Sequence, residues 1–197
     1  MKLNYTALKD TASWEKGGFS LPAFDVQALK EKTRLSPAWL HLGAGNIFRA
    51  FPAADLQTLI DKGLYDTGLV VAECFDGEII DKAYTPFDCL SVLCVLKSDG
   101  TVEKKVIASV CEALRCDGQN PAHDDRLQQV LAAPSLQMVS LAITEKGYAV
   151  TNAPSTRSFC DQPMAICKTA AFSLSPLALQ LSMLTRDRGK APFLNRR

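Results

Sequence analysis

Short apolar runs alternate along this chain with stretches of helical periodicity. "AWLHL" (38–42) predicts a buried strand. Residues 46–63 carry Ile47, Phe48, Phe51, Ala54, Leu56, Leu59 and Ile60 at helical spacing, so they predict a helix that Gly63 stops. Pro52 is a flaw inside its first two turns. "GLVVAE" (68–73) predicts a second buried strand, and "DGEIIDKAY" a short helix or a loop. "FDCLSVLCVLK" and "TVEKKVIASVCEALRCD" flank "SDG", a β-hairpin turn signal. "HDDRLQQVLAAP" predicts a helix, and "LQMVSLAI" (136–143) another buried strand closed by "TEKGY". Residues 151–168 read as a loop rich in Pro, Ser and Thr; residues 169–187 read as an amphipathic helix broken or begun at Pro176. Residues 1–35 read as an irregular N-terminal arm with one short helix near "DVQALKEKT".

Strands alternating with helices predict an α/β fold: a Rossmann-like, doubly wound, mostly parallel sheet over residues 36–197 with an inserted β-hairpin. A chain of 197 residues can bury roughly 70% of its unfolded surface, enough for one sizeable core. Its net charge of +1 gives no reason to expect nucleic acid or an anionic membrane as partner. No apolar run approaches the roughly 20 residues of a membrane span. "MKLNYTALKDTASWEKGG" reads as neither signal nor transit peptide. Seven cysteines, none in a C-x-x-C pair, and two histidines predict reduced core thiols in a cytoplasmic protein and no metal site. His41 on a buried strand is expected to be structural, and His123 to be a surface or capping residue.

The candidate chemistry sits in "HLGAGNIFRAF". Strand, then Gly-Ala-Gly, then helix is the pattern of a nucleotide-binding βα turn. Gly43 permits the tight turn, and Gly45 lets the backbone approach a pyrophosphate with no Cβ in the way. Free N–H groups at the helix start favour an anion there. The third glycine of G-x-G-x-x-G is replaced by Phe48, so the helix must stand off or turn Phe48 elsewhere. Arg49, a cation in the first helical turn, is disfavoured there unless a phosphate is bound. Glu73 ends the next strand about 30 residues after Gly43, against the usual ~20. Its carboxylate would accept ribose hydroxyls and repel a 2′-phosphate, favouring NAD over NADP; Asp76 competes for that role. Methyltransferases also place glycines at this seam, but their turn carries an acid where this chain has "LHL".

Taken with "SLAITEKGY", the turn goes further than spacing: the chain resembles the N-terminal half of the long-chain mannitol dehydrogenase family, over residues 36 to 193. That family includes polyol dehydrogenases and reductases of fructuronate and tagaturonate. Its first turn, like G-x-G-x-F-x-R-A, stands here as Gly43, Gly45, Ile47, Arg49 and Ala50, with Phe48 and Phe51 closer to the hexuronate branch. The resemblance implies NAD as cofactor, held by Gly43, Ala44, Gly45, Asn46, Ile47, Arg49, Glu73 and Thr144. Its T-E-x-G-Y motif is Thr144, Glu145, Gly147 and Tyr148, which puts Glu145 near the active site. It also puts Ser109 and Glu112 toward the cofactor side. The implied small-molecule partner is a sugar alcohol or a keto-uronate.

In that family an S-C-D-N segment and a helical C-terminal domain with a catalytic lysine follow. This chain reads "RGKAPFLNRR" and carries neither, so the resemblance implies an NAD-binding half with little or no turnover and an uncovered apolar face open to self-association. The alternative is a non-catalytic nucleotide-binding remnant, or a subunit completed by another chain. A methyltransferase binding S-adenosylmethionine is the third reading.

Overall fold

In the computed structural model, which describes residues 2–142, the N-terminal segment is not an irregular arm. Helices α1 (Tyr5–Leu8) and α2 (Thr11–Lys16) and strand β1 (Phe19–Ser20) precede α3 (Val26–Leu35). Asn4, Asp10 and Asp25 cap the three helices by accepting first-turn N–H groups. Trp14 is buried with Leu90, Val106 and Ala108, which docks this segment on the hairpin downstream.

Then come β2 (Trp39–Leu42), α4 (Asn46–Ala50), α5 (Pro52–Asp61), β3 (Leu69–Glu73), α6 (Glu78–Ala83) and a 3-10 turn (Thr85–Phe87). They are followed by β4 (Ser91–Leu96), β5 (Val102–Ile107), β6 (Val110–Arg115), α7 (Pro121–Ala132) and β7 (Met138–Leu141). The helix expected over 46–63 is thus two helices. Pro52 has no N–H to donate, and a proline disfavours helical geometry in the residue before it; Phe51 sits at φ −116°, ψ −76° between them. Gly63 does stop the second: at φ +67° its N–H reaches the Ile60 carbonyl (2.8 Å) while Leu64 N–H reaches that of Leu59 (2.9 Å), a Schellman closure.

The main sheet is wholly parallel, in the order β6–β3–β2–β7. Leu69 and Val71 pack on one face with Phe48, Leu56, Ile60 and Ile80. Leu40, Val70 and Ala72 pack on the other with Leu114, Leu127 and Val130. Covering both faces is what makes such strands read as continuous apolar runs. The chain starts at β2, winds out through β3 to β6, and returns to the other side of β2 as β7. The direction of winding therefore reverses between β2 and β7. The run expected as a buried strand at 136–143 forms β7, but Met138 and Leu141 are exposed on it.

The hairpin is β4 with β5, antiparallel from Ser91↔Ile107 to Leu96↔Val102, and β1 adds to β5 in parallel. The apolar run after its turn serves two sheets. Buried Gln57 of α5 takes the orphaned backbone groups at the break, donating to the Val106 carbonyl (2.7 Å) and accepting Ala108 N–H (2.6 Å). From there β6 enters the main sheet. Among the described residues Cys111 and Cys116 are buried and Cys94 is exposed, all as free thiols; no described helix is long and apolar enough to cross a membrane.

Candidate functional site

The carboxyl ends of β2, β3 and β7 meet at the reversal of the sheet, where open parallel sheets bind ligands. Gly43, immediately after β2, has φ +109° and continues the ladder with its N–H on the Ala72 carbonyl at 2.9 Å. A Cβ on it would lie 2.9 Å from the Ala142 carbonyl oxygen, just past β7. Gly43 is thus required both by its conformation and by a close neighbour. Gly45 is different. It is extended (φ −71°, ψ 177°), and a Cβ there would meet no atom of the described residues within 4 Å.

Ala44, between them, is held at both ends of its backbone. Its N–H donates to Glu73 Oε2 at 2.8 Å, and its carbonyl accepts the Tyr84 hydroxyl at 2.8 Å. Glu73 closes β3, one residue beyond the Leu42↔Ala72 pair. Its other oxygen, Oε1, accepts Phe75 N–H (3.0 Å) and Asp76 N–H (3.3 Å). A carboxylate offers about four lone-pair directions; the described residues take three, and the one they leave is on Oε2, beside the glycine turn. Asp76, the competing acid, is exposed and gives its N–H to Glu73.

Among the described residues no side chain caps α4, and none accepts from its first-turn N–H groups. Five residues give it far less dipole than the long helix the periodicity suggested. Ile47 is exposed. Arg49 donates to Asn46 Oδ1, and its guanidinium lies over the Tyr84 ring, 5.5 Å from the centroid. Asn46 and Arg49 also line an open cleft of about 420 Å³ whose other walls include Lys82 of α6 and Ser91 of β4.

Phe48 resolves the missing third glycine. It is buried between α4 and the sheet, stacked on the His41 ring at 4.2 Å with the planes 10° apart. Nδ1 of His41 is 2.7 Å from Ser140 Oγ, the atom that also accepts the Trp39 indole N–H at 2.7 Å. His41 Nε2 is buried with no partner among the described residues, and burial pushes the imidazole down to a pKa of about 4. The expectation of a structural His41 holds.

His123 differs from its expected role. Asn120 caps α7, while His123 Nδ1 accepts Arg115 N–H at 2.9 Å and ties the helix to the end of β6. Ser109 and Glu112 lie away from the glycine turn, because they precede the carboxyl end of β6. Ser109 donates to the Ala53 carbonyl under α5 (2.6 Å), and Glu112 pairs with Arg126 (2.6 Å). Thr144 and Glu145 fall outside the described residues, as does the helix expected over 169–187. Among the described residues no group of three or more His, Cys, Asp or Glu is placed to hold a metal. Tyr84 carried no signal in the sequence: nothing in "DGEIIDKAY" shows that its last residue reaches back 40 positions to Ala44.

No family model matches the chain. It is 49% identical over 152 residues to the D-mannonate oxidoreductase of Thermotoga maritima, a match that takes in 76% of this chain and 28% of that protein. The chain therefore spans under a third of the length of that relative. Two solved structures share its fold. One is a D-sorbitol dehydrogenase in substrate-free form: TM-score 0.69, 19% identity, 98% of this chain and 38% of that one. The other is mannitol 2-dehydrogenase of Pseudomonas fluorescens in a ternary complex with NAD and D-mannitol: TM-score 0.67, 22% identity, 98% of this chain and 37% of that one. These likenesses bear out the resemblance to the long-chain mannitol dehydrogenases and the doubly wound α/β fold.

Proposed function

We propose that residues 38–76 form the dinucleotide-binding centre of an NAD-dependent oxidoreductase, acting on the CH–OH group of a sugar alcohol or the carbonyl of a keto-uronate. The observation that carries this reading is Gly45. Neither its backbone angles nor any neighbour among the described residues requires a glycine there, so the open space beside it is read as room for a ligand's backbone-close approach. In this reading Gly43, Ala44 and Gly45 shape the turn, and the first-turn N–H groups of Asn46 and Ile47, with Arg49, meet the pyrophosphate. The free lone pair of Glu73 Oε2 takes a ribose hydroxyl, and the same charge repels a 2′-phosphate, which favours NAD over NADP.

NAD, when bound, supplies the hydride chemistry; the chain supplies binding, orientation and water exclusion. His41 is not the base for the hydroxyl proton, because it is buried, stacked and held neutral. The T. maritima relative's name supports an acidic sugar as substrate class, and the P. fluorescens complex supports NAD. Calorimetric titration of the chain with NADH and NADPH tests the reading. NADH is expected to bind in the micromolar to millimolar range, with NADPH weaker. A folded chain that binds neither would overturn it.

A further inference from the structure

We propose that Tyr84 is a positioning residue of this dinucleotide site, acting through Ala44. The proposal rests on the reading of Gly43–Gly45 as a pyrophosphate turn and deepens it.

A Gly-Ala-Gly segment has little steric restraint of its own, because both residues flanking Ala44 lack a Cβ. Something outside the segment must fix how its peptide planes lie. The structure shows two such contacts, one on each side of Ala44. Glu73 Oε2 accepts its N–H at 2.8 Å, and the Tyr84 hydroxyl donates to its carbonyl at 2.8 Å. The Ala44 carbonyl is part of the peptide that leads into Gly45. Holding that oxygen sets where the Gly45 N–H, on the same peptide plane, points.

Tyr84 is built for the task. It is 1% exposed, at the end of α6, and its ring also supports the Arg49 guanidinium. Ala44 is fully buried, so water cannot replace the hydroxyl on its carbonyl without rearrangement. One side chain therefore orients both the turn and the cation assigned to the pyrophosphate. It does so without touching the ligand, and its hydroxyl and ring are separable by substitution.

Tyr84→Phe keeps the ring beneath Arg49 and removes only the hydroxyl. The full chain carrying it is expected to bind NADH about tenfold more weakly, with adenosine, which carries no phosphate, bound as before. Amide hydrogen exchange at Ala44 and Gly45 is expected to speed up. Unchanged NADH affinity, or an equal loss for adenosine, would overturn the proposal. Failure of the unsubstituted chain to bind NADH would overturn it together with the dinucleotide reading, so the two failures are distinguishable. A second measurement covers the case in which the variant does not fold. In the unsubstituted sequence labelled with 3-fluorotyrosine, the Tyr84 fluorine resonance is expected to move with NADH or ADP and not with adenosine. No movement with bound NADH would count against the proposal.

Discussion

Gly43 and Ala142 stand so close at the ends of β2 and β7 that a Cβ on the first would lie 2.9 Å from the carbonyl oxygen of the second. The contact joins the glycine turn to the strand across the point where the sheet reverses. Gly43→Ala would add that clash to the strain of an L-residue at φ +109°, the strain alone costing about 1–3 kcal/mol. Urea denaturation is expected to show a lowered midpoint, and an unchanged midpoint would mean the turn can shift.

Gly45→Ala should separate folding from binding. Its extended backbone accepts any residue, and stability is expected to hold or to rise by about 0.4–1 kcal/mol through the unfolded state. NADH affinity is expected to fall by about tenfold or more, which is roughly 1.4 kcal/mol. A thermal melt beside a titration reads both quantities, and retained affinity would remove the main support for the proposed function.

Phe48→Gly, which restores the third glycine of the common fingerprint, is expected to damage this chain. Truncating a buried Phe costs about 3–5 kcal/mol, and an interior helical glycine roughly 1 kcal/mol more. A variant as stable as the parent in denaturant titration would show that the stacking on His41 is dispensable.

His41 predicts a pH dependence whose sign can be worked out. Its folded pKa, about 4, lies below the ordinary value of 6.5, so between these values the unfolded chain binds a proton that the folded chain refuses. Stability due to this residue is complete above the upper value and falls as the pH drops through the window. The loss reaches roughly 3 kcal/mol once both states are protonated. Denaturation midpoints compared between pH 7 and pH 4 for the parent and His41→Gln test this. The parent is expected to lose more, and parallel curves would contradict the assignment.

The apolar runs of β2 and β3 were legible because both faces of a parallel strand are buried, and the glycine turn because two glycines at the seam of a strand and a helix form a recognisable pattern. Other features were not legible, for identifiable reasons. Val106 and Val110 belong to different sheets, yet the run between them shows no break, because each strand is apolar in its own surroundings. The side chain that makes the break tolerable, Gln57, lies some fifty residues upstream. Residues 1–35 have weak periodicity, and their order comes from caps at Asn4, Asp10 and Asp25 and from burial of Trp14 on the hairpin. Glu73 was visible as a strand-end acid, but its grip on Ala44 depends on the β2–β3 register.

The interruption at Phe51 has a mechanical meaning. A single rigid rod from Asn46 to Asp61 would transmit any displacement of the turn to the Gln57 joint where the two sheets part. With the ladder broken at Phe51 and Pro52, α4 and α5 are two short struts, and the Gln57 joint is fixed by α5 and not by the segment that carries the turn.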